Sequence, residues 1–88
     1  QIVIGREEGM DIALQDPESS RRHALVSWRG GQFVTEDLGS TNGTFVQMEE
    51  DEEVCLRHEQ IVLRGRGVIS LGRRIRGGGG KLIYFSLT

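Results

Sequence analysis

The amino-acid sequence predicts an all-β protein, a sandwich of two sheets built from short strands. Three observations carry that prediction. No stretch repeats apolar residues at i, i+3, i+4 and i+7 over three turns, so no amphipathic helix is expected. Short β-rich runs alternate with turn chemistry along the whole chain. Glycine supplies 13 of the 88 residues, a share that favours turns and strands over helices.

The elements follow in order. Residues 2–4 (Ile-Val-Ile) form a strand that ends at Gly5, and residues 11–14 form a short, half-alternating one. Residues 24–28 make a clear strand, turned by Arg29-Gly30-Gly31 and answered by residues 32–38, which reads as a hairpin. Residues 39–43 are a turn, after which Thr44-Phe45-Val46 resumes a strand. Residues 47–53 are a block of like charge that repels itself and reads as a mobile loop. Residues 60–64 and 68–71 are strands on either side of Gly65-Arg66-Gly67. Four glycines, 77–80, supply a hairpin tip before a last alternating strand, residues 81–87. Many short strands with regular turn signals indicate a sandwich or barrel.

The length allows one domain, residues 1–88, and excludes a two-domain enzyme with a site in an interdomain cleft. At 36% apolar residues the core is modest. Gln1 in place of Met marks the chain as an expected piece of a longer protein. A single Cys permits no intrachain disulfide, which fits a reducing, intracellular and cytoplasmic setting. No apolar run reaches the ~18 residues of a membrane span, and no basic-then-apolar leader opens the chain. Charge is uneven. Residues 1–59 hold all 13 acids and 5 of the 11 bases, and residues 60–88 hold the other 6 bases and no acid. The simplest reading is that the two parts lie side by side and offset each other. The rival reading is a polyanion-binding tail.

Three polar clusters stand at strand ends: Gly5-Arg6, Ser19-Ser20-Arg21-Arg22-His23, and Gly39-Ser40-Thr41-Asn42-Gly43-Thr44. Their chemistry agrees. Arg6, Arg21 and Arg22 carry guanidinium forks that match a phosphate. Ser20 and Thr41 carry hydroxyls, and Asn42 an amide able to pair with peptide backbone. Gly39 and Gly43 let main-chain N–H groups approach an anion. Taken singly, each has a plain structural reading: a solvated Arg, a turn-capping Ser, a structural His, a Ser-Thr-Asn-Gly turn.

Order and spacing change the weight. Ile4-Gly5-Arg6, Ser20-Arg21-Arg22-His23-Ala24, residues 37–46 and Val68-Ile69-Ser70-Leu71-Gly72 together resemble a forkhead-associated (FHA) domain across residues 2–72. The resemblance implies a two-sheet sandwich whose loops at one end bind a phosphothreonine peptide. It implies a contact with the phosphate or its neighbourhood for Arg6, a hydroxyl donated by Ser20, an added cation at Arg21, a second hydroxyl contact from Thr41, and a hold on the peptide main chain by Asn42. It gives Gly5, His23 and Gly43 supporting positions, with the histidine bracing the loops. It implies no catalysis, no cofactor and no metal. The implied partner is a phosphothreonine-containing protein modified by a Ser/Thr kinase. FHA domains usually carry one or two strands before the Gly-Arg motif, and only four residues precede Gly5. Those strands are expected to be either missing or replaced by another segment at the sheet edge.

Other functions compete less well. Ser20, His23 and Asp16 are triad types without a nucleophile-elbow pattern. Gly77 to Lys81 lacks the spacing and the Ser or Thr of a phosphate loop. Cys55 and His58 have no second pair for zinc, and Cys55 is expected to be a small buried residue. Arg64-Gly65-Arg66-Gly67 and Arg73-Arg74-Ile75-Arg76 suggest nucleic-acid binding. The few aromatics, Trp28, Phe33, Phe45, Tyr84 and Phe85, all fall in expected strands, where core packing is the simpler role. A phosphate-independent interaction or oligomerisation module is the remaining alternative.

Overall fold

The computed structural model describes residues 1–78 and 80–87. The alternating sequence folds into β1 (Ile2–Gly5), β2 (Ile12–Ala13), β3 (Ala24–Arg29), β4 (Gln32–Asp37), β5 (Thr44–Met48), β6 (Val54–Leu56), β7 (Gln60–Val62), β8 (Arg66–Leu71) and β9 (Leu82–Ser86). One sheet has the order β2-β1-β3-β4-β7 and the other β6-β5-β8-β9. The expected two-sheet β-sandwich is what forms.

Strand periodicity explains the layering. In β5, Thr44, Val46 and Met48 are buried while Phe45 and Gln47 are half-exposed, so every second side chain enters the core. Ile4 and Ala24 from one sheet meet Val46, Met48, Leu56, Ile69 and Leu71 from the other, with Leu63 closing the cluster. Burying each large aliphatic side chain is worth ~1.5–3 kcal/mol.

The register brings the polar clusters to one pole. Ile4 pairs with Ala24, Ala24 with Asp37, and Thr44 with Leu71. The chain leaving β1, entering β3, leaving β4, entering β5 and leaving β8 therefore sits at the same end. Backbone bonds tie these crossings together: His23 N–H to Ile4 O, Leu38 N–H to His23 O, and Gly72 N–H to Gly43 O, each at 2.9 Å.

Several expectations need correction. Gln47 and Met48 belong to β5, and the short strand β6 follows the acidic block, so residues 49–53 are a hairpin turn rather than a mobile loop. That turn is held by two basic side chains and by backbone N–H groups. Arg66 pairs with Glu49, Arg64 with Asp51, and Glu53 accepts from the Ile75 and Arg76 N–H groups. Cys55 is exposed, because Leu56 takes the inward position of β6. Trp28 and Tyr84 are 61% and 74% exposed. Tyr84 stands on the outer face of its sheet. Trp28 and Phe33 pack edge-to-face, 4.7 Å between centroids, at the turn end of the β3–β4 hairpin. Part of the expected 77–80 hairpin tip, Gly79, lies outside the described residues.

β9 ends its sheet. Leu87 N–H donates to the Gly65 carbonyl, which sets the hydrogen-bonding phase of the β8–β9 ladder. The backbone groups of Leu82, Tyr84 and Ser86 then point to the open edge. No described segment fills it.

Candidate functional site

The site is built from the turns at that pole. Gly5 ends β1 against the Arg21 carbonyl, where any side chain would collide with main chain. That close approach lets Arg6 N–H reach Ser20 O at 2.9 Å and Glu7 N–H reach Arg21 O at 3.3 Å. Arg6 is thereby fixed beside the Ser20-Arg21 turn.

His23 joins the two loops from beneath. It is fully buried. Its Nδ1 accepts the Ser20 N–H at 2.9 Å, so the proton sits on Nε2, which donates to the Gly43 carbonyl at 2.7 Å. Burial lowers its pKa below the ordinary value, against the Gly43 bond and the nearby Asp37 charge. Both ring nitrogens are committed to backbone, which leaves none for the Ser20 hydroxyl.

Asp37 organises the other loop. Its buried carboxylate accepts from Gly39 N–H and Ser40 N–H at 3.1 Å, Ser40 Oγ at 2.5 Å, Thr44 Oγ1 at 2.7 Å and His58 N–H at 2.8 Å. Burial pushes its pKa up. The bonds from Ser40, Thr44 and His58 outweigh burial and hold it below the ordinary carboxylate range. Ser40 Oγ in turn accepts from Gly43 N–H at 2.9 Å. Gly43 has φ +88°, a left-handed conformation that suits glycine.

The upper surface is where the loops touch. Thr41 N–H donates to Ser20 Oγ at 3.1 Å. Asn42 Nδ2 donates to the Glu18 carbonyl at 3.0 Å and to Glu18 Oε2 at 3.1 Å. Together they leave a concavity of about 430 Å³ lined by Arg6, Glu18, Ser20, Arg21, Arg22, Thr41 and Asn42. Arg6, Arg21, Arg22 and Thr41 are exposed. Among the described residues none of these three arginines forms an ion pair, whereas Arg29, Arg64, Arg66 and Arg73 do.

The residues singled out by sequence are thus brought together: Arg6, Ser20, Arg21, Thr41 and Asn42 around one concavity, with Gly5, His23 and Gly43 below or behind it. Sequence reading gave no role to Asp37, Ser40 or Glu18. Asp37 and Ser40 stood inside the recognised motif, so a signal existed. Nothing local marked Glu18.

The chain matches the FHA domain family over residues 2–72, and it belongs to that family. FhaB of Mycobacterium tuberculosis, an FHA domain-containing protein, is 47% identical over 45 residues, which are 51% of this chain and 29% of FhaB. The chain therefore spans under a third of that relative's length. A structure solved in a study of phosphothreonine-dependent FHA domain interactions aligns with a TM-score of 0.69 and 29% identity, over 99% of this chain and 77% of the other. EmbR of M. tuberculosis, in complex with a low-affinity phosphopeptide, aligns with a TM-score of 0.67 and 29% identity, over 94% of this chain and 19% of EmbR.

Proposed function

We propose that the concavity binds phosphothreonine within an extended peptide, and that the chain is a non-catalytic reader domain of a longer signalling protein. The observation that carries this reading is the convergence of three distant stretches on one pocket lined by three guanidinium groups that form no ion pair among the described residues. A phosphothreonine brings about −1.5 to −2 charge and strong acceptor oxygens. Arg6 and Arg21 supply charge-assisted bonds to it, Ser20 and Thr41 add hydroxyl donors, and Asn42, whose Nδ2 is taken by Glu18, holds the peptide main chain by accepting one of its N–H groups at Oδ1. Gly5, His23 and Gly43 keep the loops at the required approach. The committed ring of His23 supports binding rather than a Ser-His triad. Such a reader works where a Ser/Thr kinase acts on its partner, within the cell.

The ion-paired state of Arg64 and Arg66 weighs against a nucleic-acid tract there. Titration of a phosphothreonine peptide and its unphosphorylated twin tests the reading. The phosphopeptide should bind far more tightly, and Arg6→Ala or Ser20→Ala should each weaken it by ~1–3 kcal/mol with the fold intact. Equal affinity for the two peptides would overturn it.

A further inference from the structure

The pocket contains one charge that a phosphate cannot use. Glu18 is half-buried between Pro17 and Ser19, and its backbone is anchored on two sides. The Asp16 carboxylate, itself held by Arg73 at 3.3 Å, accepts the Glu18 N–H at 2.9 Å. Gly72 packs against the Glu18 carbonyl, where any added side chain would collide. Asn42 Nδ2 then fixes the carboxylate through Oε2. The second oxygen, Oε1, has no hydrogen-bond partner among the described residues, and Glu18 forms no ion pair with the arginines that share its pocket. The concavity therefore carries at one side a hydrogen-bonded acid that has no ion-pair partner among the described residues.

The two loops meet in two successive rungs, Ser20 with Thr41 and Glu18 with Asn42. Residues two apart in a chain lie within ~7 Å of each other. An extended peptide advances ~3.3 Å per residue. A side chain one or two residues from a phosphate on the Ser20–Thr41 rung thus reaches the Glu18 carboxylate. We propose that Glu18 makes the pocket bipolar and selects a Lys or Arg within two residues of the phosphothreonine, beside the main chain that Asn42 holds. This inference rests on the phosphothreonine reading above. A basic side chain gains the free Oε1 and cancels the buried-edge charge, and an acidic one meets repulsion at the same place.

The test uses the full chain and synthetic phosphothreonine peptides in which each flanking position is Lys, Ala or Glu in turn, each with an unphosphorylated twin. At one position within two residues of the phosphothreonine, Lys should bind about fivefold or more tighter than Glu. Glu18→Gln, which keeps an acceptor for Asn42, should narrow that ratio to within about twofold. Glu18→Lys should reverse it. A flat Lys/Glu ratio in the unaltered chain, or a ratio that survives Glu18→Gln, overturns this inference alone. Loss of the difference between phosphorylated and unphosphorylated peptides overturns it together with the reading beneath it.

Discussion

At the scale of single residues, His23 shows how one side chain commits a protein to one protonation state. A neutral ring with its proton on Nε2 satisfies both the Ser20 N–H and the Gly43 carbonyl. A second proton on Nδ1 would face the Ser20 N–H donor and break that bond. The folded pKa lies below the ordinary histidine value of ~6.5. Stability from this group is then fully present above ~6.5 and falls as pH drops below it, because the unfolded chain takes the proton first. The thermal midpoint should hold above about pH 6.5 and decline as pH drops below it. His23→Gln should be less stable at the upper pH and lose most of that slope. An equal slope in the two proteins would show that another group sets it.

At the scale of elements, the β4–β5 connection is shaped by the carboxylate at its base as well as by its glycines. Asp37 satisfies donors from Gly39, Ser40, Thr44 and His58, and so fixes the turn that presents Thr41 and Asn42. Asp37→Asn keeps the size and replaces one acceptor oxygen with a donor, which opposes the donors already there. Its expected cost is about 2–4 kcal/mol in urea unfolding, since charged hydrogen bonds are worth ~1.5–3 kcal/mol each. Amides 39–44 should also exchange faster than those of β3. Uniform protection across the chain would show that Asp37 is not the organiser of this turn.

At the scale of the whole molecule, a thin aliphatic core holds the two sheets together. The acidic turn at 49–53 lies against the basic C-terminal third through Arg64, Arg66 and the backbone at Ile75, so the uneven charge of the sequence is offset within the fold. Those pairs are exposed, and exposed pairs contribute little to stability. The aliphatic cluster carries more. Ile69, at 1% exposure in the centre of β8, touches the plane between the sheets. Ile69→Ala should cost ~2–5 kcal/mol and lower the urea midpoint of both sheets together. Retention of the midpoint would mean that the two sheets do not share one core.

The sequence by itself determined the fold class and most of the candidate site, because both are written locally. Period-two alternation places the strands, glycine and Ser-Thr-Asn-Gly chemistry places the turns, and Arg6, Ser20, Thr41 and Asn42 sit in spaced motifs that can be read without coordinates. Strand ends and the acidic turn were less legible, since like charge in sequence says nothing about basic neighbours distant in the chain. Only the tertiary structure decided which exposed aromatics stay outside the core, and that Asp37 rather than glycine alone shapes the loop. It also decided that Glu18 stands in the pocket. Those outcomes depend on cross-strand register and on contacts between residues far apart in the chain, and no local pattern encodes such distances.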